Sequence, residues 1–377
     1  MSARSGAPAT STSELASWLS GGYPGGDGAL AAAARKVMLR EVGPEVNLRG
    51  LLEFSNLCRC DCFYCGIRRS SATDGSGPLL RFSLTEEEIL NAARQCAAAG
   101  FGSMTLQSGE RRDRHFVEKV ERVLKQIKRE TISDALPEGL GITLCVGEQS
   151  RENYQRFFDA GAHRYLLRIE TSNPELFATL HPPDQNFEQR VRALLELKEI
   201  GYQLGTGVMI GIPGQSFQDL AEDIEFFGRV DADMIGMGPF LESAGASSDD
   251  ARTGPGAPRL EPELTTAERL TLSLRMIAAT RIAHGDLNIA ATTALQAISP
   301  AGREAGLAYG ANVLMPIVTP GERRRSYQLY EGKPCVDETS EACERCTPAR
   351  ALRAGRPVTE NGWGDAPHAT KTRRISE

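Results

Sequence analysis

The stretch LRGLLEFSNLCRCDCFYC, residues 48–65, runs from a strand-like segment straight into four cysteines packed within eight positions. Cys58, Cys62 and Cys65 are spaced C-x3-C-x2-C, and Cys60 lies between them. Three closely spaced thiolates can hold three irons of a [4Fe–4S] cluster, and with no fourth local ligand one iron stays open. Zinc is the competing reading. Structural zinc sites usually pair two C-x2–4-C knuckles about a dozen or more residues apart. No second knuckle follows in that range; the next cysteine, Cys96, is expected on a buried helix face. Cys60 falls outside the spacing and reads as a bystander.

Outward from this stretch an alternation emerges. Strand-like segments occupy Leu48–Ser55, Ser103–Ser108, Ile142–Gly147, Arg164–Glu170, Gln203–Gly211, Met234–Phe240, Asn288–Thr293 and Asn312–Val318, eight in all. Helical patterns follow most of them. Thr85 with Glu88 forms a capping box opening a helix that ends near Gly100, and Thr265 with Glu268 opens one running to about His284. Phe187–Ile200 and Phe217–Val230 carry apolar positions at helical spacing. Eight strands alternating with helices predict an α/β fold, a (β/α)8 barrel; an open doubly wound sheet is the alternative. In a barrel the chemistry sits at the C-terminal ends of the strands, so the cysteines belong to the first βα loop, at the catalytic mouth.

Composition narrows the classes. Of 377 residues, 41% are hydrophobic and 24% charged, ample for a core. The net charge is −6 and no block of five like charges appears, which argues against a nucleic-acid partner. No apolar run approaches the roughly 18 residues of a membrane helix. No apolar stretch follows the early Arg4, so a secretory signal is not expected; a Ser/Ala-rich transit peptide is a minor alternative. Nine clustered cysteines in a long chain read as metal binding in a reducing compartment, here taken as cytoplasmic. Residues 1–34 read as a lead-in, partly disordered and then helical, residues 35–350 as the barrel including a cysteine segment at 335–346, and residues 351–377 as a polar tail.

The cysteine spacing, with Tyr64 before the last cysteine, resembles the radical S-adenosylmethionine (radical SAM) superfamily. QSGE (Gln107–Glu110) resembles the motif that contacts the SAM amine there, and GVMIGIPGQS (Gly207–Ser216) the segment that packs on the adenine. The resemblance implies that the open iron chelates SAM and that electron transfer cleaves it to a 5′-deoxyadenosyl radical. Further segments narrow it: YLLRIETSNPELFATLHP, DMIGMGPF, IAATTALQAISPAGREAGLAYGANVLMP and YQLYEGKPCVDETSEACERC. Together they are similar to the HydE family of [FeFe]-hydrogenase H-cluster maturases, over about residues 35–350. That family stands with biotin synthase and methylornithine synthase.

By that resemblance Tyr64, Ser108, Glu110, Glu170, Arg190, Met209, Met234 and Tyr327 would serve SAM. Arginine suits the SAM carboxylate and a carboxylate suits its amine. Ser108, Thr143, Arg168, Thr292, Thr293, Met315 and Tyr330 would line the substrate cavity. Met and Thr on strands are as often plain core. Cys335, Cys343 and Cys346, C-x7-C-x2-C, resemble a second iron–sulfur site, with zinc or idle cysteines as alternatives. The implied substrate is a small molecule, an iron–cysteine carbonyl/cyanide synthon. The implied partners are a flavodoxin or ferredoxin electron donor and the maturases HydF and HydG. Biotin synthase holds a [2Fe–2S] cluster inside its barrel, and here Cys145 alone is placed to contribute one ligand. Two departures stand out. Ile169 follows Arg168 where the family usually has histidine, and LESAGASSDD follows GPF. They keep open an enzyme acting on an amino acid or sulfur compound, as in methylornithine synthase. A non-catalytic cluster carrier is a third reading.

Overall fold

The computed structural model describes residues 10–73, 77–243, 264–337 and 340–376, at backbone level only for 340–344 and 372–376. Eight parallel strands make the barrel: β1 Val46–Ser55, β2 Ser103–Ser108, β3 Gly141–Cys145, β4 Ala162–Leu166, β5 Gln203–Thr206, β6 Met234–Ile235, β7 Asn288–Ile289 and β8 Val313–Leu314. They pair in chain order from β1 to β7, and β8 returns beside β1. The seam between β7 and β8 is closed by a single bridge, Ala290 to Val313. Ile142, Leu144, Leu204 and Ile289 are fully buried, as a sheet covered by helices requires.

The predicted helices form where the caps place them. Thr85 and Thr265 cap Glu86–Ala98 and Thr266–Ala283, each with its capping box closed. Phe187–Ile200 is as expected, and Phe217–Arg229 stops one residue early, at a Val230 C-cap.

Several strands end sooner than their apolar runs. Past β5 and β6 the chains press together: a Cβ on Gly207 would lie 1.9 Å from the Gly236 carbonyl oxygen. The two chains resume as a separate pair, Met209–Ile210 beside Gly238–Pro239. Past β7, Thr292 becomes the N-cap residue of helix Thr293–Ile298 instead of a strand residue. These irregular ends are the mouth of the barrel.

The two ends of the chain differ: the lead-in is helical, and the C-terminal segment departs from expectation. Residues 1–9 lie outside the described residues, but from Thr12 the lead-in is helical. Thr12–Leu19 buries Leu15 and Leu19, and Gly26–Glu41 packs Leu30 and Ala34 on Ala278. The predicted polar tail is instead the floor of the barrel. Val358–Thr359 pairs with the start of β1. Beyond it the Gly364 carbonyl accepts hydrogen bonds from Arg49 and Asn288, both at 2.8 Å. Arg164 donates to the Trp363 carbonyl at 2.9 Å and pairs with Asp365 at 2.6 Å. The segment looked like a tail because its role is polar: its carbonyls and one carboxylate satisfy guanidinium groups that would otherwise be buried bare.

Candidate active site

The cysteine loop leaves β1 at Asn56 and crosses the end of β2. Gly109 makes this crossing feasible, since a Cβ there would lie 2.5 Å from the Leu57 carbonyl oxygen and 2.7 Å from the Cys58 Cβ. Cys58, Cys62 and Cys65 then line one cavity of about 340 Å³ that descends the barrel axis. The Cys58 sulfur accepts backbone N–H groups from Cys60 at 3.4 Å and Glu110 at 3.3 Å. The Cys60 thiol also hydrogen-bonds it and, with these N–H groups, holds the Cys58 thiol below its ordinary pKa. Burial pushes the Cys62 thiol up to about 12 and Cys65 higher still. Cys65 and Cys62 thus need a cation to stay ionised, and iron is one. Among the described residues no three His, Cys, Asp or Glu side chains stand close enough to grip a single ion. Three thiols lining one shared cavity fit the three-cysteine ligation of a [4Fe–4S] cluster.

Above the cysteines, Tyr64 donates to Glu170 at 3.3 Å and meets His181 edge-on at 5.6 Å. Glu170 is 6% exposed and holds φ at +68°, a left-handed backbone that non-glycine residues rarely adopt. Its backbone is clamped there by Gly207, which accepts its N–H, and by Met209, which donates to its carbonyl. Arg168 stands 2.9 Å from Glu170 as a charge pair whose angle is too poor for a hydrogen bond, and donates instead to the Val208 carbonyl at 2.8 Å. Alternation along the strand end turns Arg168 and Glu170 into the cavity and Ile169 into the hydrophobic core. The replaced family histidine therefore lies at a position facing away from the cavity. The second departure, from Ala244 onward, lies outside the described residues.

A carboxylate–guanidinium chain runs round the rim. Glu110 takes Arg59 at 3.1 Å and Arg112 at 2.8 Å, and accepts the Glu148 N–H at 2.8 Å. Glu148 pairs with Arg190 at 2.5 Å, and Arg190 donates to the Arg168 carbonyl at 2.6 Å. Burial alone would lower the Arg190 pKa, but the adjacent Glu148 carboxylate raises it instead. Glu148 escaped the sequence reading. It follows β3 in a Gly-Glu pair like the one ending β2, which was a usable signal. Gln185, beside Cys62, carried no such signal.

Deeper in, Ser108, Thr143, Met209, Thr292 and Met315 all reach the cavity wall. Thr293 and Tyr330 share a hydrogen bond of 2.9 Å, and Tyr327 lies under the Lys333 ammonium at 5.3 Å. Lys333 pairs with Glu53 at 2.5 Å, a buried ion pair in the wall that sequence reasoning missed. Met234 also lines the cavity. It opens β6, near the floor, and its sulfur accepts from Arg49 at 2.7 Å. Cys145 also lines the cavity, its thiol pushed up to about 12 by burial. Cys335 and Cys346 lie off the cavity: Cys335 packs with Leu51, Met315 and Ile317, and Cys346 meets Arg350. The Cys343 side chain lies outside the described residues.

A model of the radical SAM superfamily matches residues 52–227. The [FeFe] hydrogenase maturase subunit HydE of Thermotoga maritima is 41% identical over 337 residues, 89% of this chain and 88% of that protein. The chain belongs to the HydE family of radical SAM enzymes. Membership brings a [4Fe–4S] cluster and SAM, and the three cysteines at the cavity mouth fit the first. A 3-methylornithine synthase of Methanosarcina barkeri is 26% identical over 80% of this chain and 78% of its own. A crystal structure of methylornithine synthase superposes with a TM-score of 0.72 at 24% identity, covering 93% of this chain and 94% of that one, and so shares the fold. Among the described residues no helix is long and apolar enough to cross a membrane.

Proposed function

We propose that this enzyme acts in assembly of the [FeFe]-hydrogenase H-cluster, as a HydE-type maturase. The observation that carries the reading is near full-length identity of 41% to a HydE protein, joined to three cysteines at the mouth of a closed barrel cavity. A cluster held there would supply the electron that splits the SAM sulfonium. The chain's own residues do the rest. Cys58, Cys62 and Cys65 would hold the cluster. Glu110, Glu170, Arg190 and Tyr64 gather the charged end of SAM, with Ser108, Met209 and Tyr327 about it. The barrel wall excludes water and positions the substrate.

Arg168, Thr143, Thr292, Thr293, Met315 and Tyr330 are the proposed substrate contacts. The proposed substrate is a small molecule, an iron–cysteine carbonyl/cyanide synthon, as the resemblance to the HydE family implies. HydG as its source, HydF as a further partner, a flavodoxin or ferredoxin donor and a cytoplasmic setting complete the proposal. Cys335, Cys343 and Cys346 are proposed as a separate iron–sulfur site without a part in the chemistry, since neither Cys335 nor Cys346 reaches the cavity.

The test is anaerobic reconstitution followed by SAM and dithionite. The parent is expected to release 5′-deoxyadenosine, and Cys62→Ala to release none. A parent that binds a cluster yet leaves SAM intact would sink the enzyme reading in favour of a cluster carrier. Failure to restore hydrogenase activity in a strain lacking its own maturase would move the proposal to an amino-acid substrate.

A further inference from the structure

Gln185 is the one side-chain amide drawn up against a cysteine of the loop among the described contacts. It sits in the turn between helices Pro174–Leu180 and Phe187–Ile200, where its N–H bonds the Pro182 carbonyl at 2.9 Å. Its Nε2 lies 3.3 Å from the Cys62 sulfur and its Oε1 3.5 Å from the same atom. A protonated thiol can accept from one or donate to the other. An iron-bound thiolate has no proton to give, so the amide N–H becomes the matching group. The segment is braced against the cysteine loop, because the Phe63 N–H bonds the Leu180 carbonyl at 2.9 Å. Gln185 reaches the same cavity as the cysteines.

We propose that Gln185 is a positioning residue that sets the reduction potential of the cluster, by donating its Nε2–H to the Cys62 sulfur. This rests on the cluster reading above. Reduction adds an electron whose charge spreads onto the sulfurs. A donor to one of them stabilises the reduced form more than the oxidised form, and so raises the potential. Burial strengthens the effect, since little water competes for the sulfur. The contrast with Cys58 sharpens the point. Its N–H donors among the described residues are the backbone of Cys60 and Glu110, which shortening a side chain does not remove. Gln185 is a donor that can be altered without touching a ligand, in the manner of the outer-shell groups that tune metal centres.

The experiment uses the full chain, reconstituted anaerobically without SAM, as parent, Gln185→Leu, Gln185→Met and Gln185→Glu. Iron and sulfide per chain are measured first, then the midpoint potential by EPR-monitored redox titration. Leu and Met lack the donor and are expected to keep the parent's iron content but show a more negative midpoint. Glu, which sets a carboxylate against the sulfur, is expected to lie lower still. An unchanged or more positive midpoint in whichever of the Leu and Met variants assembles a cluster overturns the proposal. So does loss of the cluster in both, which would make Gln185 a retention residue. A parent that assembles no cluster would instead remove the proposed function itself.

Discussion

Glu170 pays for its place at the mouth with a φ of +68°, a conformation that costs about 1–3 kcal/mol and persists where neighbours enforce it. Enforced strain of this kind collects at functional sites, which fits the proposed contact with SAM. Glu170→Gln keeps the backbone and the volume but removes the charge. It is expected to weaken SAM binding by about tenfold, the worth of one charged hydrogen bond. Equilibrium binding to the reconstituted protein checks this. Cys60 poses the sharper residue-scale question, since it touches Cys58 yet lies outside the motif spacing. Cys60→Ser is expected to hold the same iron content as the parent; loss of the cluster would mean that the wrong three cysteines were chosen. The three cysteines, Glu110, Arg168 and Glu170 were legible because motif and strand register place them. Glu148 was overlooked although its Gly-Glu pair was a signal; Gln185 was not legible, because what gives it its meaning is a partner remote in sequence, Cys62.

The segment 358–366 shows where reading by polarity misleads at the level of elements. The eight strands and their capped helices were visible because period and capping are local. A plug that works through its backbone carbonyls leaves no apolar pattern, and the residues it serves, Arg49 and Arg164, lie in strands far away. Arg164 is fully buried, and Asp365 is its paired carboxylate. Asp365→Ala should therefore destabilise the fold by about 3 kcal/mol, in the range for a buried charge left unpaired, as read from urea unfolding. Burial acts to raise the Asp365 pKa, but the hydrogen bond to His163 and the charge of Arg164 hold it well below the ordinary carboxylate value. The pair's contribution is thus complete above about pH 4, the unfolded value, and is lost as the pH falls below it. Asp365→Asn should flatten that part of the acid limb.

Over the whole molecule, acid stability also depends on two histidines held neutral. Burial pushes both His163 and His181 down to about 3. The unfolded chain takes up these protons near pH 6.5, and the folded chain does not. Stability is therefore full above about pH 6.5 and declines as the pH drops toward 3. Urea midpoints at pH 7 and pH 5 should differ accordingly, and equal midpoints would contradict the buried, neutral state of the pair.

The floor of the barrel has a kinetic consequence. Arg49 reaches its acceptor, Gly364, across 315 positions of sequence. Closing so long a loop comes late in folding, so the strands must first assemble around two arginines still awaiting their acceptors. A nascent chain carries that debt until residue 364 emerges. Trp363, whose indole donates to the Gly139 carbonyl, sits at the point of closure, and Trp18 is its sole companion in the sequence. In a Trp18→Phe background, indole fluorescence becomes a clock for the final sealing of the barrel.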